Sequence, residues 1–414
     1  MTTPCFIVTG YNNVRIYDVG KIRAEARKHF DAHVVLVTEK KQPIDEQAAD
    51  QVIEVSFSPP AREAGAAAIR HQLEQAGLRP IGILPFSDRG VPMGAHLAAH
   101  YGLPGAAVQQ AQAGLDKRLF RALDSRAASH PAGYRVVSSV QVNSAAALVR
   151  EVDRLGGKAF IKPAQEGNSR GCRVISHREE CDAIWAEMTP YHGGGIMVES
   201  LIEAASEFSW DYVAGRQWIT EKRTTEGLYR AEYQQIVPAC LPEGDQAMIE
   251  AAGDHMRRLV SVENGVWHNE IFLLPGATAA VETNMRPAGM HIWDLARISY
   301  EAFNPWLLWL RWATDGNMAQ AVLQQRAFSG IRMLRARRAG RLTQLPDIHA
   351  LAGERGIPLH EGHFSVLPGD TLSDAIQSNA DFIGFIILSH PDYARLTHDL
   401  DALAAAIEAA VEIA

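Results

Sequence analysis

Apolar positions along this chain change their period several times, and each change predicts an element. Residues 6–10, 34–38, 51–55 and 81–85 are short apolar, β-prone runs, and residues 60–76 carry alanine and leucine at helical spacing. Strands alternating with helices predict a parallel sheet covered on its faces. A helical pattern from residue 90 stops at Gly102-Leu103-Pro104-Gly105 and restarts with Asp116-Lys117-Arg118. Residues 158–163 read as a strand ending in Lys162-Pro163, followed by a polar loop with Gly167, Ser169 and Gly171 and a second strand from Cys172. Residues 195–203 predict another strand, leading into 207–212. Residues 292–312 are apolar and aromatic, and Trp306, Trp309 and Trp312 recur at the spacing of a buried helix face. The tail predicts strands at 331–334, 364–367 and 382–388, then an amphipathic helix over 393–413.

The most informative pattern lies at residues 267–286. Pro275-Gly276 separates two β-prone runs, which predicts a β-hairpin. A turn centred on Gly276 pairs Glu270 with Glu282 and His268 with Asn284. Alternation then sets Glu282, Asn284 and Arg286 on one face beside Glu270 and His268, with Val281, Thr283 and Met285 on the other. Two carboxylates and an amide oxygen converging on one spot suit a hard cation such as Mg²⁺. Arg286 is placed to hold a phosphoryl group or carboxylate bidentately.

Bulk properties narrow the setting. A chain of 414 residues exceeds one ordinary core, so two or three domains are expected. A net charge of −8 and a pI near 6.1 argue against nucleic acid or an anionic membrane as partner. The four cysteines show no metal-ligand spacing and point to free thiols in a reducing compartment. No basic, apolar leader opens the sequence and no run reaches membrane-span length, so a soluble cytoplasmic protein is expected. The first βα turn, Thr9-Gly10-Tyr11-Asn12-Asn13, lacks the full GxGxxG, which weakens a dinucleotide site there.

Taken singly, Lys117 on a helix is a surface charge and the acidic residues near strand ends are solvated. Lys162 inside an apolar strand must meet an anion or reach solvent. The glycine- and serine-containing loop after it offers backbone amides to phosphate. Glu199 and Leu201 can offer backbone groups to an adenine edge, with Glu203 or Glu207 near ribose hydroxyls. Trp210, Arg223, Tyr233, Trp267 and Met290 are candidate pocket walls.

Read in order, Lys117, Lys162 with its loop, Glu199-Ser200-Leu201-Ile202, Glu207, Glu270 and Glu282-Thr283-Asn284-Met285-Arg286 resemble the ATP-grasp superfamily of carboxylate-amine ligases. Asp88-Arg89-Gly90-Val91 through Asp116-Lys117, and Glu282-x-Asn284-x-Arg286-Pro287-x-Gly289, resemble the branch of bacterial L-amino-acid ligases (dipeptide synthetases), which includes antibiotic-forming enzymes. The resemblance implies a mixed α/β and α+β fold in three parts: an N-terminal parallel α/β domain over 1–108, a two-lobed ATP-grasp core over 109–305 and a C-terminal α/β domain over 306–414. It implies ATP between two sheets, Lys117 and Lys162 on its phosphates, adenine at Glu199 and Leu201, and ribose at Glu207 with Glu203 as the alternative. Gly167, Ser169 and Arg170 would belong to a loop over the γ-phosphate, Glu270, Glu282 and Asn284 would hold Mg²⁺, and Arg286 and His268 would face the reacting groups. The implied partners are a small carboxylic acid and an amino acid, and a homodimer remains open.

The same architecture serves carboxylases and purine-pathway ligases, although no Met-Lys-Met type biotin-carrier sequence occurs. A non-catalytic nucleotide-binding regulator is the reading from another class, against which the intact Glu270, Glu282, Asn284 and Arg286 speak.

Overall fold

Val34, Val35, Leu36 and Val37 are fully buried, as a strand covered on both faces requires. They lie in a computed structural model that describes residues 2–11, 15–167, 170–203, 205–226 and 230–414. The N-terminal part runs β1 (Thr3–Thr9), α1 (Ile16–Phe30), β2 (His33–Thr38), α2 (Asp45–Ala48), β3 (Gln51–Glu54), α3 (Arg62–Gln75), β4 (Leu78–Pro85) and α4 (Gly90–Tyr101). Its four strands are parallel in the order β3-β2-β1-β4. Gly90 opens α4 so close to β1 that a Cβ would sit 1.9 Å from the Thr9 carbonyl oxygen. Gly102 ends that helix in the left-handed region at φ +64°, the break expected at Gly102-Leu103-Pro104-Gly105.

Three further sheets follow among the described residues, the smallest a three-stranded one in the tail. After α5 (Lys117–Ser125) and β5 (Tyr134–Arg135) comes a small lobe of β6 (Ser139–Val142), α6 (Ala145–Arg154), β7 (Ala159–Pro163), β8 (Arg173–Ile175), α7 (Cys181–Glu187) and β9 (Ile196–Glu199). Its antiparallel sheet has the order β6-β9-β7-β8. The chain then builds β10 (Ser206–Val213), β11 (Arg216–Thr224), β12 (Glu232–Val237), α8 (Glu243–Val260), β13 (Val266–Leu274), β14 (Ala277–Asn284), α9 (Ile292–Ser299) and α10 (Pro305–Asp315). The tail adds β15 (Phe328–Leu334), β16 (Gly340–Gln344), α11 (Ile348–Glu354), β17 (Leu359–Phe364), β18 (Thr371–Leu372), β19 (Gly384–His390), α12 (Tyr393–Ala410) and β20 (Glu412–Ile413). A nine-stranded sheet, β17-β19-β15-β12-β11-β10-β13-β14-β5, takes strands from both sides of residue 305.

Several local expectations change; the strand expected over 364–367 is displaced to Leu359–Phe364. The strand expected over 195–203 ends at Glu199, and the next strand, β10, begins at Ser206. The apolar stretch 292–312 is two helices, because Asn304 caps α10 by accepting from the Leu307 amide and Pro305 stands at its first position. Its tryptophans are core as read: Trp293, Trp306, Trp309 and Trp312 are buried against Phe6 and Leu36 of the N-terminal sheet and Trp218 and Ile331 of the large one. The arginines near Gly340 are partly structural, since Arg337 donates to the Ala405 carbonyl (2.6 Å) and Arg338 to that of Ile413.

Candidate functional site

The 267–286 hairpin forms with the expected pairs, Glu270 opposite Glu282 and His268 opposite Asn284. The route to that register differs from a turn centred on Gly276. Leu274 pairs with Ala277 around a two-residue Pro275-Gly276 turn, and a bulge at Val281 then shifts the register by one. Val281 therefore does not join Thr283 and Met285 on the far face. It lines the cleft, while Thr283 donates to Asn269 (2.6 Å) and Met285 packs in the core beneath α8.

Alternation along the large sheet separates two environments. Glu207, Lys222, His268, Glu270 and Glu282 line a cleft of about 2030 Å³ between the small lobe and the large sheet. Trp210, Trp267 and Ile271 face the other way, onto Ile249, Ala252 and Met256 of α8. Trp210 and Trp267 are fully buried there, so they are core and not pocket walls. Tyr233 and Met290 do line the cleft, and Arg223 is tied to Glu221 (2.9 Å) and the Tyr393 hydroxyl (3.2 Å).

At the small-lobe end the cleft is rich in cations. Glu199 accepts from Arg121 (2.7 and 3.1 Å) and pairs with Lys162 (2.7 Å), all three side chains being nearly inaccessible. Burial opposes the Glu199 charge, yet Arg121 and Lys162 overcome it and hold the carboxyl down at about 2. Burial lowers the Lys162 ammonium, with Glu199 opposing. Lys117, the first residue of α5, donates to the Glu166 carbonyl (2.6 Å) and pairs with Glu282 (3.0 Å). The Asp116 cap and a bond from the Lys117 amide to the Ala164 carbonyl (3.0 Å) fix this helix end beside β7.

At the large-sheet end acids outnumber cations. Lys222 pairs with Glu207 (3.1 Å), Glu270 (2.5 Å) and Glu232. Burial pushes Glu207 up to about 7, with Lys222 opposing and Glu270 and Glu232 adding to the rise. His268 contacts Asp211 through Nδ1 (2.7 Å) and Glu270 through Nε2 (3.4 Å). Burial disfavours its charge, but Asp211 and Glu270 prevail and raise it to about 9. The second Asp211 oxygen accepts from Ser209 (2.7 Å) and Thr220 (2.8 Å). Carboxylate oxygens of Glu207, Glu232 and Glu270 lie within 4.8 Å of one another. Asn284 donates to Glu282 (3.2 Å).

No family model matches the chain. A D-alanine--D-alanine ligase of Pseudarthrobacter chlorophenolicus is 32% identical over 100 residues, which is 24% of this chain and 26% of that protein. The chain thus aligns with about a quarter of that relative's length. Solved structures match throughout. An L-amino acid ligase from Bacillus licheniformis superposes with a TM-score of 0.78 at 16% identity, covering 100% of this chain and 99% of the other. The chain has the ATP-grasp fold. A biotin carboxylase domain of Hydrogenobacter thermophilus 2-oxoglutarate carboxylase, solved with MgADP, ADP and bicarbonate, gives 0.66 at 14% identity over 100% of this chain and 91% of that one.

Within this ATP-grasp fold most of the residues singled out from sequence share one cleft: Lys117, Lys162, Gly167, Arg170, Glu199, Leu201, Glu203, Glu207, His268, Glu270, Glu282 and Arg286 all line it. Asn284 sits just behind, at Glu282. Ser169 lies outside the described residues. Arg170 pairs with Glu166 (2.7 Å). Glu203 pairs with Lys158 at the exposed rim (3.0 Å), whereas Glu207 is in the acidic cluster.

Sequence reasoning missed Arg121, Lys222, Asp211, Glu232 and the role of Asp88. Asp88 grips Arg286 with two bonds, 2.8 and 3.1 Å, reaching from the N-terminal part to the hairpin. Arg121 lies one helical turn beyond Lys117, so i, i+4 spacing was the available signal. The chain offered no comparable signal for Lys222.

Proposed function

We propose that this protein is an ATP-dependent ligase that joins a carboxylic acid or acyl amino acid to an L-amino acid through an amide bond, releasing ADP and phosphate. One observation carries this reading: a single cleft has a cation-rich end at Arg121 and Lys162 and an acid-rich end at Glu207, Glu232 and Glu270, with the Lys117–Glu282 pair between them. The first suits a polyanion, the second a cation and an ammonium substrate.

In this reading Lys117 and Lys162 hold the triphosphate, and adenine lies along Glu199–Leu201. Glu207 takes the ribose, with Glu203 as the alternative, and the loop bearing Gly167, Ser169 and Arg170 covers the γ-phosphate. Glu270, Glu282 and Asn284 would hold Mg²⁺, an assignment that their oxygen donors fit. When bound, Mg²⁺ neutralises phosphate charge.

A free carboxylate is a poor acyl donor, because oxide would have to leave. Its oxygen instead attacks the γ-phosphorus, the bond to the β,γ-bridging oxygen breaks, and ADP departs with the electron pair. The lysines reduce the repulsion between the two anions and stabilise the spreading charge. An amine nitrogen then attacks the acyl carbon of the acylphosphate. The carbon–oxygen bond to phosphate breaks and the nitrogen loses its proton to solvent. Arg286, aimed by Asp88, stabilises the oxyanion or the departing phosphate. His268 acts through Glu270, as a positioning residue. Water would destroy the intermediate, which gives the covering loop its purpose.

The proposed partners are small acids and amino acids in the cytoplasm, and the products are dipeptide-like amides of the kind used in antibiotic biosynthesis. Incubation with Mg-ATP and a matrix of acids and amino acids tests this. Substrate-dependent ADP, phosphate and a condensed mass are expected, all lost in Glu282→Ala. ATP binding without turnover across the matrix would contradict the ligase.

A further inference from the structure

Away from the cleft, the far end of α5 carries a second group of ionisable side chains. Asp124 is fully buried at the last turn of that helix, His255 is 8% exposed on α8, and the half-buried His130 lies on the largely exposed loop between α5 and β5. Their ligating atoms all lie within 4.8 Å of one another. His130 Nε2 is 3.6 Å and His255 Nε2 3.5 Å from Asp124 Oδ1. A tetrahedral ion with bonds near 2.0–2.1 Å separates its ligand atoms by roughly 3.3 Å, so these two edges are close to coordination geometry.

The group is also unfinished. Among the described residues Asp124 Oδ2 and His255 Nε2 are buried without a hydrogen-bond partner, a costly arrangement for a carboxylate and an imidazole. Among the described residues no lysine or arginine lies within ion-pair distance of Asp124. Tyr134 donates to Asp124 Oδ1 (3.1 Å), the outer support that ligating carboxylates commonly have. His130 Nε2 at present bonds the Asp124 carbonyl (2.9 Å), one hydrogen bond that coordination would replace. Neither these three residues nor Tyr134 lines the cleft.

We infer that Asp124, His130 and His255 form a site for a divalent transition ion of the zinc class, with three protein ligands and a fourth position open to water. Two imidazoles with one carboxylate favour Zn²⁺ or Co²⁺ over Mg²⁺, whose ligands are oxygens. The ion clamps the end of α5 to α8, and α5 is the helix that delivers Lys117 and Arg121 to the cleft.

The test uses the full chain, stripped with a chelator and titrated with Zn²⁺ in excess Mg²⁺, which occupies oxygen sites. One Zn²⁺ per chain is expected, a raised unfolding temperature with it, and Co²⁺ visible bands of a four- or five-coordinate ion. His130→Gln, on a loop outside the core, and His255→Gln should each weaken Zn²⁺ binding by about tenfold or more, and Tyr134→Phe by roughly tenfold. Glu270→Gln should leave it unchanged. Failure to retain Zn²⁺, wild-type affinity in both histidine variants, or loss of binding in Glu270→Gln instead would overturn the inference.

Discussion

Two ion clusters face the same cleft with opposite imbalance. At the small-lobe end one carboxylate, Glu199, meets two cations, Arg121 and Lys162, and its carboxyl is held at about 2 against the effect of burial. At the large-sheet end Lys222 meets three carboxylates, and even with the His268 imidazolium on Glu270 and Asp211 the acids outnumber the cations; burial with its acidic neighbours leaves Glu207 at about 7. A buried cluster with surplus charge of one sign is costly by itself and becomes favourable with a ligand of the other sign. The pair of clusters therefore describes a ligand set: an anion at one end, cations at the other.

The comparison is broken most severely at Glu199. Glu199→Gln leaves Arg121 and Lys162 buried without their carboxylate and should lower unfolding free energy by about 3–5 kcal/mol. Urea unfolding measures this, and a loss under about 1 kcal/mol would mean that solvent already screens the cluster. Lys162→Met keeps the Arg121–Glu199 pair. It should cost a factor on the order of 10²–10³ in kcat/KM for ATP, and an unchanged value would remove Lys162 from the phosphates.

A pH series sharpens the other end. His268 is raised from 6.5 to about 9 because Asp211 and Glu270 outweigh burial. Its contribution to stability is full below the unfolded value and is lost as pH rises through about 9, on the order of 3 kcal/mol in all. Unfolding free energy should fall between those limits in the wild type, and this fall should vanish in His268→Gln. A wild-type profile that is flat or rising there would contradict the assignment. The smallest effect belongs to the rim: Glu203→Gln breaks an exposed pair with Lys158 and should change stability by less than about 1 kcal/mol. If it raises the KM for ATP while Glu207→Gln does not, Glu203 holds the ribose.

Much of this was legible locally. The hairpin and its Glu270–Glu282 pair were legible, but through a turn centred on Gly276; the two-residue Pro275-Gly276 turn alone would set Glu270 opposite Val281, and the bulge at Val281 that brings Glu282 into register left no mark in the pattern. The same alternation excludes Trp267 from the cleft, because its neighbour His268 faces it. Lys222 was illegible for a different reason. Its partners come from β10, β12 and β13, which meet only when the sheet forms. Asp88 and Arg286 are likewise joined by the packing of the N-terminal sheet onto the hairpin, across 198 positions of sequence.

The central claim is that a carboxylate becomes an acylphosphate in this cleft. With an acid and amine pair that turns over, the acid is labelled in both carboxylate oxygens with the heavy oxygen isotope and the products are separated by mass. The account predicts ADP, an amide that keeps one labelled oxygen, and inorganic phosphate carrying the other. Label in AMP, with pyrophosphate as the co-product, would contradict it.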